Sequence, residues 1–173
     1  MTQFTSCQCH SKILGQISLT YRIETTSHFV AQCVEAHTRF SNQLKTLQAS
    51  DLTKKLGDSP NSIGFLIRHI GDVELLFSKN VFGNTAVHVS AKTVIAGHDT
   101  GEWTDLQSLL AYVEESFKTL HDTLLAQSDS VWSEVITTKE FGTKTKAEAL
   151  GRIVSHTAYH AGQIAIIHKY GNS

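Results

Sequence analysis

The sequence predicts an all-α protein, a four-helix bundle with long crossover connections. Four stretches repeat apolar residues in steps of three and four, the mark of a helix with one buried face. Three of the four open on a recognisable helix start signal. No repeat at a fixed period and no low-complexity segment accompanies them, which sets aside a solenoid. With 173 residues the chain fits one domain, expected over 21–171, with 1–20 as a flexible N-terminal tail. Two long connections point away from the simplest stack of helical hairpins.

The first helix is expected over about 21–49, with Val30, Cys33, Val34, His37, Phe40, Leu44 and Leu47 on its stripe. Ser59-Pro60 then offers an N-cap followed by proline at the first helical position. The face that follows is Ile63, Leu66, Ile67, Ile70, Val73, Leu76 and Phe77. Positions 81–103 have no period and are punctuated by Gly83, Gly97 and Gly101. A connection beyond about 12–15 residues in a compact domain is often a lid or a binding loop, and otherwise packs over the bundle end. His88, His98 and Trp103 within it read as surface or packing residues.

Thr104-Asp105-Leu106-Gln107 has the capping-box form and opens a third helix to about 126, carrying Leu106, Leu109, Leu110, Val113, Phe117, Leu120 and Leu124. His121 borders its stripe. Positions 128–143 alternate weakly around Val131, Ser133 and Val135, compatible with a short extended piece or a hairpin. Thr145-Lys146-Ala147-Glu148 is a second capping box, and Gly171 is expected to close the last helix, about 147–169, as a C′ glycine.

The formal charge of −1, from 15 basic and 16 acidic residues, gives no electrostatic footprint for nucleic acid or an anionic membrane. No apolar run reaches the roughly 18 residues of a membrane span. The N-terminus lacks the basic and apolar regions of a secretory signal, so a cytoplasmic location is the default expectation. Three cysteines make no disulfide framework, and Cys33 suits a core position as a small reduced thiol. Cys7, Cys9 and His10 sit among polar terminal residues and read as an ordinary tail. Small neutral or mixed-charge molecules are the expected substrates.

Chemistry concentrates in the last helix. His156 and His160 are four apart, so their imidazoles share one face within reach of a common ion, beside Leu150, Ile153, Val154, Thr157, Ile164 and Ile167. Buried ring nitrogens need hydrogen bonds or a metal, and spacing alone leaves both open. His69, one turn from Leu66 and Val73, adds an inward imidazole from a second helix. Three neutral imidazoles suit zinc, nickel, iron or copper and leave a coordination position open, whereas a structural zinc site is closed by four protein ligands. The His-Glu-x-x-His of zincins is absent, since positions 157–159 are Thr, Ala and Tyr. His37 reads as a core histidine or a neighbour of the site.

The segments 61–74, around His69, and 156–164, His156-Thr-Ala-Tyr-His160-Ala-Gly-Gln-Ile, resemble the two signature segments of the DinB/YfiT-like proteins. The resemblance implies a four-helix bundle with a crossover connection and a divalent metal, zinc or nickel foremost, on His69, His156 and His160. It also implies a homodimer and a small-molecule substrate. Relatives include S-transferases and isomerases that use low-molecular-weight thiols, so the expected function is a thiol-dependent S-transferase-type activity. The alternatives are hydrolysis through a metal-bound water, or a non-enzymatic metal-binding or structural dimer. His37, Tyr159 and Gln163 are candidates for contact with the ligands or the substrate. Tyr159, adjacent in sequence to His160, is expected to point elsewhere and pack.

Overall fold

The structure, a computed structural model, describes the backbone of residues 9–172 and the side chains of residues 25–172. Of the expected tail over 1–20, residues 1–8 with Cys7 lie outside the described residues, while the backbone of 9–20, with Cys9 and His10, belongs to the first helix and its side chains are not described. In chain order the elements are α1 (Cys9–Leu44), α2 (Ile63–Asn80), a short α3 (Lys92–Ala96), α4 (Leu106–Leu125), β1 (Val135–Thr138), β2 (Gly142–Thr145) and α5 (Lys146–Tyr170). Single 3₁₀ turns at Ala49–Asp51 and Asp129–Ser133 interrupt the connections. The hairpin expected from weak alternation is present, with Val135 opposite Thr145 and Thr138 opposite Gly142. No helix among the described residues is long and apolar enough to cross a membrane.

Three helix starts differ from expectation: α1 begins at Cys9 rather than near 21, and at α2 and α4 a competing side chain wins. α2 begins at Ile63, capped by Ser62, whose hydroxyl accepts from the Phe65 N–H at 3.2 Å. Ser59 instead accepts from the Asn61 N–H, and the Pro60 carbonyl accepts from the Asp99 N–H, which keeps this segment out of the helix. At α4 the cap is Asp105, which accepts from the Ser108 N–H at 3.1 Å, one residue beyond Thr104. The Thr145–Glu148 box forms in full: Thr145 N–H donates to Glu148 Oε2 at 2.7 Å and Glu148 N–H donates to Thr145 Oγ1 at 3.2 Å. Gly171 ends α5 with an extended backbone rather than a left-handed one. It is glycine for space, because a Cβ there would stand 2.5 Å from the Ile167 carbonyl oxygen and 2.8 Å from that of Lys55.

Around the bundle the helices run α1, α5, α2, α4, since α1 packs on α5 and α4 while α2 packs on α4 and α5. The connections 45–62 and 126–145 therefore join helices at opposite corners. Two apolar clusters fill the interior. One holds Phe40, Ile63, Leu66, Ile70, Val113 and Ile164, the other Cys33, Val73, Phe77, Leu120 and Ile153. Between them lie the buried polar residues His37 of α1, Glu74 of α2, Ser116 of α4 and Thr157 of α5. His156 and His160 sit at this level of α5, between Ile153 and Ile164.

Gly64 in the first turn of α2 lies directly against the backbone of Trp103, so a Cβ would overlap the Trp103 carbonyl oxygen. Gly64→Ala should therefore push the 81–103 connection off α2 and cost about 2 kcal/mol, despite alanine's better helix propensity. Urea unfolding checks this, and an unchanged or raised midpoint would contradict the close approach.

Candidate metal centre

His69, His156 and His160 converge in the groove between α2 and α5. One ring nitrogen from each lies within 4.8 Å of the nitrogens of the other two. Ring centroids are 5.1 Å apart for His69–His156, 5.0 Å for His69–His160 and 4.4 Å for His156–His160. All three are half-buried at the edge of the apolar stripe rather than at its centre. No fourth Cys, His, Asp or Glu side chain joins them among the described residues.

Two of the rings are fixed by their outward nitrogens. Thr93 donates its hydroxyl proton to Asp72 Oδ2 at 2.7 Å, so it can only accept from His69 Nδ1, 3.2 Å away. Gln163 faces His160 with its amide oxygen, which accepts from Nδ1 at 2.6 Å, while its amide nitrogen donates to the Tyr159 hydroxyl at 3.1 Å. Each ring thus carries its proton on Nδ1 and leaves Nε2 bare toward the centre, the tautomer a metal ligand needs. His156 Nε2 is 3.2 Å from His69 Nε2, and its buried Nδ1 has no partner. Either His156 donates an Nε2 proton to the bare His69 Nε2 and leaves its own buried Nδ1 lone pair unmet, or its proton sits on Nδ1 and two lone pairs face each other, an arrangement a divalent cation would satisfy.

The electrostatics agree with that fit. Burial, and then the neighbouring His160, lower His69 from the ordinary histidine value to about 4; Asp72 works weakly in the opposite direction. Burial with His160, His69 and Arg152 lowers His156 to about 3. Burial also lowers His160, against the Gln163 bond. All three rings are neutral at pH 7, with lone pairs free for a soft or borderline cation.

The arrangement that aims His69 comes from the long connection. Asp72 is fully buried, and its Oδ1 accepts from Arg68 Nε at 2.9 Å and from the Tyr112 hydroxyl at 2.6 Å. Its Oδ2 accepts from the Thr93 N–H at 3.0 Å as well as from the hydroxyl. Arg68 lies 3.5 Å over the Tyr112 ring. The turn that delivers Thr93 passes through Ala91 at φ 46°, a left-handed conformation that costs a Cβ-bearing residue roughly 1 kcal/mol. The connection 81–103 thus acts as a brace for a ligand candidate, while His88 and His98 are exposed and Trp103 is packed.

Of the other candidates, Gln163 touches the triad directly and Tyr159 through Gln163. The expectation that Tyr159 packs away from the site is corrected: it is 63% exposed, and the Gln163 bond brings it round to the open side of the triad. His37 does not join. It is buried with Nδ1 2.9 Å from Ser41 Oγ and Nε2 3.5 Å from Glu74 Oε1, its ring stacked on Phe117 at 3.5 Å. Asp72, Thr93 and Arg68 were not singled out from sequence. Asp72 left a signal, a carboxylate three residues after His69 on an apolar helix, whereas Thr93 left none.

A model of the DinB superfamily matches residues 32–164. The chain belongs to the DinB superfamily. Its fold is similar to the crystal structure of a mutant mycothiol-dependent maleylpyruvate isomerase, with 15% identity and a TM-score of 0.60 over 80% of this chain. The chain spans 60% of the length of that protein. A conserved protein from Enterococcus faecalis is also similar, with 15% identity and a TM-score of 0.58 over 84% of this chain and 96% of that one. No curated protein matches the sequence. At these identities the two structures speak for the fold, and this DinB-superfamily chain's chemistry rests on its own residues.

Proposed function

We propose that this protein is a divalent-metal-dependent enzyme of thiol S-transferase type, with His69, His156 and His160 as the metal ligands. The observation that carries the reading is the convergence of three neutral imidazoles, two of them held by Thr93 and Gln163 with Nε2 turned inward. Membership of a superfamily with a structural neighbour that is a mycothiol-dependent isomerase supports thiol chemistry over other uses of such a site.

A divalent ion held there would favour the thiolate form of a low-molecular-weight thiol near neutral pH. The chain's own residues orient and exclude. Thr93 and Gln163 keep two rings in place, and Val73 and Phe77 give the adjoining cavity a dry floor. The protein's own described thiol is a poor nucleophile near neutral pH: burial, joined by Glu74 once that carboxyl ionises at alkaline pH, pushes Cys33 up to about 12.

Purified protein is expected to carry one zinc or nickel per chain by inductively coupled plasma mass spectrometry. His160→Ala should lose the ion on dialysis and lose any thiol transfer to an electrophile with it. Native protein without stoichiometric metal would sink the proposal.

A further inference from the structure

A cavity of about 370 Å³ borders the triad through His156, on the open face of α5. Arg152, Ser155, His156 and Tyr159 fall at helical spacings of three and four, so they form one stripe along its wall, with Val73 and Phe77 of α2 as an apolar floor. The size suits a small organic molecule. Arg152 is the cavity's only lysine or arginine, 46% exposed, and lies one turn from His156. Its ionic partner Glu140, on the hairpin turn and also lining the cavity, is 3.9 Å away and 64% exposed, too long and too solvated a pair to occupy the guanidinium fork. The guanidinium is otherwise 5.6 Å from the Phe141 ring. Tyr159 accepts from Gln163, which leaves its own proton to donate.

We propose that this cavity recognises a small organic carboxylate, with Arg152 holding the carboxylate and Val73 and Phe77 receiving the hydrocarbon part. The planar fork of an arginine matches a carboxylate with two parallel bonds. The ligand's other end then faces His156. This names the substrate class of the site proposed above and rests on that reading for the direction of the reactive end; the anion pocket itself uses none of the metal's chemistry.

Isothermal titration of phenylacetate and of its uncharged analogue phenylacetamide into metal-free and zinc-loaded protein separates the two. Phenylacetate is expected to bind metal-free protein at least about tenfold more tightly than the amide. Arg152→Gln should remove that preference, and Arg152→Lys should keep part of it. Glu140→Gln, which removes the competing carboxylate, should tighten binding, a gain that misfolding cannot imitate. Equal binding of acid and amide, no binding of either, or a preference unmoved in Arg152→Gln overturns the proposal. Phenylacetate binding only with zinc, and unmoved in Arg152→Gln, would make the carboxylate a metal ligand, ending this inference while sparing the metal reading. An Arg152-dependent preference in a protein that takes up no metal would do the reverse.

Discussion

Asp72→Ala is expected to remove about 3–5 kcal/mol of folding stability, the range seen when one partner of a buried ion pair is deleted. The carboxylate is fully buried and accepts four hydrogen bonds, from Arg68 Nε, the Tyr112 hydroxyl, and the Thr93 N–H and hydroxyl. Without it the Arg68 charge, shielded under Tyr112 and Trp103, has no counter-ion, and two donors on Thr93 are stranded. Alanine cannot replace any of these contacts. Even Asp72→Asn costs, because its –NH₂ must face either the Arg68–Tyr112 pair or the two Thr93 donors. The same change should reach the metal centre. With Asp72 gone, the Thr93 hydroxyl proton is free to turn toward His69 Nδ1, so the ring loses the partner that fixes its tautomer. Zinc affinity should fall roughly 10–100-fold in Asp72→Asn and in Thr93→Val, measured by competition with a chromophoric chelator. A stability loss under about 1 kcal/mol in Asp72→Ala, with zinc affinity unchanged in the other two, would show that the network neither braces the connection nor aims the ring.

What could be read from sequence follows how local each signal was. The four long helices were legible because each carries its own period, and His156 with His160 because a spacing of four has one meaning on a helix. His69 required placing a second helix, and its inward face was set by Leu66 and Val73 on either side. The true start of α2 was not legible: Ser59 and Ser62 both satisfy the cap rule, and the deciding contact, Asp99 N–H to the Pro60 carbonyl, spans the fold. Thr93 sits in an aperiodic connection, and its role exists only because folding places it beside Asp72 and His69. Adjacency to His160 does not separate Tyr159 from the site. Successive residues do diverge by about 100° on a helix, but Gln163, one turn on, bridges the two. Arg152 occupies an exposed position where no apolar pattern constrains the residue, so its meaning comes from the cavity it lines.

Glu74 yields the second large effect, in the polar layer between the two apolar clusters. Its carboxyl is 1% exposed, accepts from Ser116 Oγ at 3.0 Å, and lies 3.5 Å from His37 Nε2. Burial pushes it up to about 8, and burial pulls His37 down to about 4. For a carboxyl raised in the folded state, the native protein keeps a proton that the unfolded chain has released, so stability falls as pH rises from about 4.5 to 8. For a lowered histidine the unfolded chain holds the extra proton, so stability rises with pH between about 4 and 6.5. The two slopes oppose one another up to about pH 6.5, and beyond it Glu74 acts alone, removing on the order of 2 kcal/mol by pH 8. Glu74→Gln keeps the shape and an acceptor for Ser116 but has no proton to lose. Its stability relative to wild type, from urea titrations across pH 4 to 8.5, should be near zero at the acid end and grow to several kcal/mol, on the order of 4, at the alkaline end. The difference curve isolates Glu74 from the other titrating histidines. A flat difference, or a glutamine variant less stable at pH 8, would mean that Glu74 is ionised in the native protein. In that case it would pair with a charged His37 across the 3.5 Å gap. At neutral pH a protonated Glu74 offers a donor to His37 Nε2, which has no other partner, so the layer at the height of the triad holds polar groups without holding charge.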